Sequence, residues 1–253
     1  MLTYLLALNA LTFCVARYGF WEHQGKVGAV LEVVKPAGES GIMNYYVAGC
    51  VNQPKAAFEF MVNDLEGGVT YVNYVNRGCD MKMIAEQVIA DAREHGYKAR
   101  VIGISIGDYV SRWAEHEIGA ETIAINPEPD ASLLQPWARY ASVAGGAVAK
   151  LGAVACGWAS LIPFYPSVGG KHSLSFIADQ FYGIGTANDA PHSTERTLGV
   201  INSDEDQFLD NVEIERYFEG VPVEYAESDH GNTVDKAPAY IEAWSALRAV
   251  IGL

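Results

Sequence analysis

A serine stands between two glycines, Gly103-Ile104-Ser105-Ile106-Gly107, where a β-branched run beginning at Ala99 passes into an amphipathic stretch ending at Gly119. The run reads as a strand and the stretch as a helix. In a strand-to-helix turn, G-x-S-x-G has a mechanical reason: the serine sits at the tip of a sharp, strained bend. Any side chain larger than hydrogen at the flanking positions would strike the neighbouring strand and helix. Ser105 is then pushed out above a sheet as a candidate nucleophile. A serine hydroxyl is weak in that role near neutral pH, so it needs a base and a carboxylate that orients the base.

The chain offers six histidines, at positions 23, 95, 116, 172, 192 and 230. Only His230 falls between a late strand and the final helix, within the loop formers Ser228-Asp229-His230-Gly231-Asn232. It is the expected base. His192, in a Gly/Asn/Pro/His-rich loop, is a second histidine placed to line a site, because loops carry functional groups disproportionately. The other four read as surface or hydrogen-bonded core residues. For the orienting acid, Asn202-Ser203-Asp204-Glu205-Asp206 follows a strand. Asp206 is preferred, since the partly apolar Gln207-Phe208-Leu209 would tuck that loop back over the sheet. Asp204 is the runner-up.

These groups need a frame. From residue 27, short β-branched or aromatic runs alternate with helical stretches, the signature of βαβ units and a mostly parallel sheet. Strands are expected at 27–34, 42–51, 68–75, 101–105, 121–126, within 197–206 with its tip at Asn202, and at 221–230. Helices are expected at 54–65, 80–95, 108–116, 210–218 and 238–251. After Pro127 the period is lost. Residues 128–195 run from Glu128-Pro129-Asp130, directly after Pro127, through an apolar tract, 141–165, whose one charge is Lys150.

With 253 residues, half of them apolar, the chain can bury a sizeable core. Seventeen basic against 31 acidic residues give a net charge of −14, which would repel a phosphate backbone and argues against a nucleic-acid partner. Cys14, Cys50, Cys79 and Cys156 lie far apart with no C-x-x-C pair, so no metal site is indicated. Residues 1–16 are nearly all apolar and resemble a signal-peptide core. They lack a preceding Lys or Arg, which favours a structural segment and a cytoplasmic chain over export or anchoring. Sixteen residues also fall short of the ~20 that span a bilayer.

The order Ser105, Asp206, His230 on alternating βα units, with G-x-S-x-G at the turn, resembles the α/β-hydrolase family over residues 27–253. Asn76-Arg77-Gly78 is similar to that family's strand-end turn. Val47-Ala48-Gly49-Cys50 stands where the family carries its oxyanion loop, with Ala48 where a histidine is frequent. The resemblance implies an α/β fold with a mostly parallel central sheet flanked by helices. It divides the chain into an apolar segment 1–26, a core of 27–127 and 196–253, and a helical cap or lid at 128–195. It implies an oxyanion held by the backbone N–H groups of Ile106 and Cys50, or Val51. It also implies no cofactor and a Ser-His-Asp hydrolase acting through an acyl-enzyme on a small carboxylic ester or thioester.

An apolar cap would favour an apolar acyl group, with Lys150 and several glycines arguing against membrane insertion of the tract. The rival readings are a non-catalytic binding module on the same fold and a serine peptidase. A dinucleotide-dependent oxidoreductase is disfavoured, because no G-x-G-x-x-G follows the first strand.

Overall fold

A computed structural model describes residues 29–49, 54–74, 81–156, 163–167, 170–173, 178, 182, 184–186, 188–230 and 233–253. The apolar amino-terminal segment, Cys50, Val51 and Asn76-Arg77-Gly78 lie outside the described residues.

Seven strands form one sheet: β1 (Ala29–Lys35), β2 (Ile42–Val47), β3 (Gly68–Tyr74), β4 (Lys98–Ile104), β5 (Glu121–Ile125), β8 (Thr197–Ser203) and β9 (Val223–Ala226). Their spatial order is β1-β3-β2-β4-β5-β8-β9. β1 runs antiparallel to β3, and every other pairing is parallel. A separate antiparallel pair joins β6 (Pro163–Ser167) to β7 (Gly170–Ser173). The helices are α1 (Pro54–Ala57), α2 (Met81–His95), α3 (Gly107–Ile118), α4 (Pro136–Cys156), α5 (Asn211–Tyr217) and α6 (Ala237–Ile251).

The central strands are buried on both faces, as parallel strands under helices must be. Along β2, Met43, Tyr45 and Val47 point into a core shared with Ile84, Val88 and Ile89 of α2. Tyr46 points into the opposite core with Phe58, Met61, Trp244 and Leu247. This is the period-two alternation of a pleated strand. A third cluster, including Ile106, Tyr109, Leu133, Leu134, Ala138 and Leu209, sits beside the end of β4. The beginning of the 128–195 stretch is therefore packed against the main body.

Two expected elements differ. The helix expected over 54–65 is regular only from Pro54 to Ala57 and continues as turns and bends before β3. Its apolar side nevertheless faces the core, with Ala57, Phe58, Met61 and Leu65 buried. Burial spaced three and four apart is satisfied by consecutive turns as well as by a continuous helix. The apolar tract 141–165 also divides, since α4 occupies it to Cys156 and β6 begins at Pro163, so the stretch 128–195 is not wholly helical. Pro163 and Pro166 lack the N–H that a helix interior requires. Among the described residues, no helix is long and apolar enough to cross a membrane.

β2, β4, β5, β8 and β9 are adjacent and parallel. Their carboxyl ends therefore share one edge, and the five loops leaving that edge converge, as ligand-binding loops of open parallel sheets do.

Candidate active site

Ser105 occupies the turn between β4 and α3 with φ 52°, in the left-handed region that a non-glycine residue rarely adopts. Hydrogen bonds hold it there. Its N–H donates to the Ile125 carbonyl at 2.9 Å, and its carbonyl accepts from the N–H groups of Asp108 at 2.9 Å and Glu128 at 3.1 Å. The flanking glycines are required by space. A Cβ on Gly103 would lie 2.6 Å from the Asp108 nitrogen, and one on Gly107 would lie 2.3 Å from the Val47 carbonyl oxygen. Strand, loop and helix together thus hold Ser105 in this turn.

The Ser105 Oγ stands 3.0 Å from His230 Nε2, and His230 Nδ1 stands 2.6 Å from Asp206 Oδ2. This pattern assigns the neutral imidazole its Nδ1–H toward Asp206 and leaves Nε2 as an acceptor. The other Asp206 oxygen, Oδ1, accepts from the N–H groups of Phe208 at 2.8 Å and Leu209 at 3.0 Å. The carboxylate is held by its own loop while it faces the histidine. Asp204 takes a different task, accepting from the Ser228 N–H at 3.1 Å. His192 is exposed and meets Tyr217 edge-on at 4.3 Å.

Burial alone would lower the His230 pKa. The hydrogen bond and charge of Asp206, with the charges of Glu128 and Asp229, outweigh it and hold the imidazole above the ordinary histidine value.

The loop after β5 adds a residue that the sequence reading passed over. Glu128 is buried, and its Oε2 lies 3.1 Å from Ser105 Oγ. Burial is the main influence on its carboxyl, and the Asp206 charge acts in the same sense. Against His230 and the Ser105 hydrogen bond, these push the pKa up to about 7. A signal did exist in the sequence: an acidic residue between Pro127 and Pro129, directly beyond the strand next to the elbow strand. Two prolines fix the backbone and leave few orientations for the side chain between them.

The remaining wall comes from neighbouring loops. Gly49, after β2, lies so close that a Cβ there would be 3.0 Å from the Ser105 Cβ. Phe208 stands edge-on to the His230 ring at 5.5 Å, and Trp137, at the start of α4, packs on Phe208 at 5.6 Å. The segment entering α4 is laced to the Asp206 loop, with Gln135 N–H donating to Phe208 O at 2.7 Å and Asp210 N–H to Leu133 O at 2.9 Å. Of the two expected oxyanion donors, Ile106 follows Ser105 directly and is buried, while Cys50 is outside the described residues. Among the described residues, no group of His, Cys, Asp and Glu is arranged to hold a metal ion.

No protein-family model and no curated protein matches the sequence. Solved structures do match in shape. MGS-M2, an α/β-hydrolase enzyme from a Medee basin deep-sea metagenome library, aligns with TM-score 0.62 at 12% identity over 89% of this chain and 94% of its own. The type II thioesterase BorB from the borrelidin biosynthetic cluster aligns with TM-score 0.58 at 13% identity over 86% and 95%. A structure from work on carboxylesterases of the thaumarchaeon Nitrososphaera gargenis aligns with TM-score 0.58 at 12% identity over 88% and 95%. Seven strands in this order, flanked by helices and matched in shape over most of the chain by such structures, are the α/β-hydrolase fold, and this protein has it.

Proposed function

We propose that the protein is a serine hydrolase that cleaves a carboxylic ester or thioester through an acyl-enzyme on Ser105. The observation that carries this reading is the unbroken hydrogen-bonded path from Ser105 Oγ through the His230 ring to Asp206, with the serine at a strained positive φ. His230 Nε2 takes the hydroxyl proton as Oγ attacks the acyl carbon, and it returns that proton to the departing alcohol or thiol. Water then enters, gives a proton to the same nitrogen and releases the acid. Asp206 fixes the imidazole and stabilises its cation. The N–H of Ile106 is assigned to the oxyanion, with a partner from the loop that continues past Gly49, at Cys50 or Val51.

Residues 128–195 serve as the cap in this reading. The aromatic pair Phe208 and Trp137 lies beside His230 where an apolar acyl or alcohol group would rest. The names of the structural neighbours, which include a thioesterase and lipolytic enzymes, agree with this substrate class.

The test is labelling with a fluorophosphonate probe read by intact mass, comparing the natural chain with Ser105→Ala and His230→Ala. One adduct on the natural chain and none on either variant supports the assignment, and p-nitrophenyl esters of increasing chain length then define the acyl site. A folded natural chain that takes no label points instead to a non-catalytic binding module.

A further inference from the structure

The mechanism above gives Glu128 no task, yet Glu128 touches the reacting oxygen. Ser105 has one hydroxyl proton and faces two acceptors, His230 Nε2 at 3.0 Å and Glu128 Oε2 at 3.1 Å. An ionised Glu128 would be the stronger acceptor and would draw the proton away from the base. It would also set a buried negative charge, 3% exposed as a residue, beside the oxygen on which negative charge builds. Its second oxygen, Oε1, is buried with no hydrogen-bond partner among the described residues, an expensive condition for a carboxylate and a tolerable one for a carboxylic acid.

We propose that Glu128 holds a proton in the reactive state and shares it with His230 through the Ser105 hydroxyl, so that the serine proton is directed to the base. This rests on Ser105 being the nucleophile. One proton belongs to the Glu128–His230 pair and has two arrangements. In the first, the Glu128 acid donates to Ser105 Oγ, Ser105 donates to Nε2, and both partners are neutral. In the second, the Glu128 proton has moved to Oγ and the Oγ proton to Nε2, leaving a carboxylate and an imidazolium. Nothing is gained or lost between them, and only the first has a free base ready for the nucleophile's proton. Loss of the shared proton leaves the carboxylate against the nucleophile.

The charged groups facing the pair come from neighbouring loops. Asp206, after β8, disfavours ionisation of Glu128, while His230, after β9, favours it. Asp206, Glu128 and Asp229 all favour protonation of His230. Two sites this strongly linked titrate as a pair. Ester turnover therefore rises as the first proton leaves and falls as the shared one leaves, a bell in which the alkaline limb belongs to Glu128.

Two measurements on the full chain test this. The first is the pH profile of kcat/KM for a p-nitrophenyl ester in the natural chain, Glu128→Gln and Glu128→Ala. Glutamine keeps a donor toward Ser105 Oγ at every pH, so its profile should lose the alkaline fall, with the maximum reduced less than about tenfold. Alanine removes the donor and should reduce the maximum about 100-fold. The second is an infrared pH titration of the natural chain minus Glu128→Gln, which reads the protonated carboxyl whether or not the chain turns over an ester. A carboxylic-acid band that persists to about pH 6 supports the proposal.

An alkaline limb unchanged in Glu128→Gln overturns the proposal, as does a Glu128 already ionised at about pH 5 in a chain that labels at Ser105. A protonated Glu128 in a chain that does not label at Ser105 overturns the hydrolase reading and, with it, the catalytic role given to this proton.

Discussion

The hydroxyl of Tyr240, on α6, lies 2.9 Å from the hydroxyl of Ser203, the last residue of β8. The same tyrosine oxygen accepts from Asn126 Nδ2 at 2.7 Å, and Ser203 Oγ reaches Asn126 Oδ1 at 2.9 Å and the Asp229 carbonyl at 3.0 Å. All three side chains are fully buried. Asn126 precedes Glu128, Ser203 precedes Asp206, and Asp229 precedes His230, so one polar cluster ties together the three loops that carry these groups. Tyr240→Phe should lower stability by about 1–3 kcal/mol, since buried partners lose a hydrogen bond. It should also lower kcat about tenfold with little change in KM, because the groups shift relative to one another. Denaturant unfolding and steady-state ester kinetics check both.

Asp206→Asn keeps an oxygen for the Phe208 and Leu209 amides but presents the wrong partner to His230 Nδ1–H. Ester turnover should fall about 10⁴-fold from the wrong tautomer. Asp204→Asn, which alters a loop bond to Ser228, should stay within about tenfold of the natural chain. Equal losses in the two variants would reject Asp206 as the orienting acid.

Arg112 is fully buried with Asp108 and Glu115, and its Nη1 also reaches the Ser193 carbonyl at 2.5 Å and Thr197 Oγ1 at 2.7 Å. It fastens the end of the 128–195 stretch to the helix that begins at the elbow. Burial holds the Asp108 carboxyl above the ordinary carboxylate value even beside the guanidinium. Arg112→Met should cost about 3–5 kcal/mol, because two carboxyl groups lose their cation inside the protein. Thermal unfolding of the variant measures it.

The Glu128 pKa is raised from 4.5 to about 7 on folding. The folded state binds that proton more tightly than the unfolded state, so the stability it contributes is complete below about pH 4.5 and is lost as pH rises through about 7. The loss is on the order of 3 kcal/mol. Glu128→Gln has no such dependence, and its melting temperature relative to the natural chain should increase between about pH 5 and about pH 8. A constant difference over that range would place the Glu128 carboxyl near its ordinary value.

Gly107→Ala would set a methyl 2.3 Å from the Val47 carbonyl oxygen, at the contact that seats the elbow helix beside β2. Loss of soluble folded protein, or destabilisation by more than about 3 kcal/mol, is expected, since backbone rather than a flexible side chain must move. Circular dichroism and thermal melting decide it.

The strand and helix alternation, the elbow and the order Ser105, Asp206, His230 could all be read along the chain. Each depends on local rules: hydrophobic period, glycine where space is short, and loop residues after strand ends. The choice of Asp206 over Asp204 is a narrower matter, because both follow the same strand and differ only in where a folded loop aims them. The apolar spacing of residues 57–65 marked a buried side correctly but not a continuous helix, since turns bury the same positions.

The sequence marked Glu128 only as an acidic residue between two prolines, and its contact with Ser105 became visible only in three dimensions. Its meaning depends on β5 lying next to β4, on the polar cluster around Tyr240 that joins strand ends distant in sequence, and on burial that changes what a carboxyl does. Residue types and spacing determine which groups this protein can bring to a sheet edge. Tertiary packing decides which of them meet and which are stripped of water, because distance and desolvation set hydrogen bonding and proton affinity and neither is a property of a residue's position in the chain.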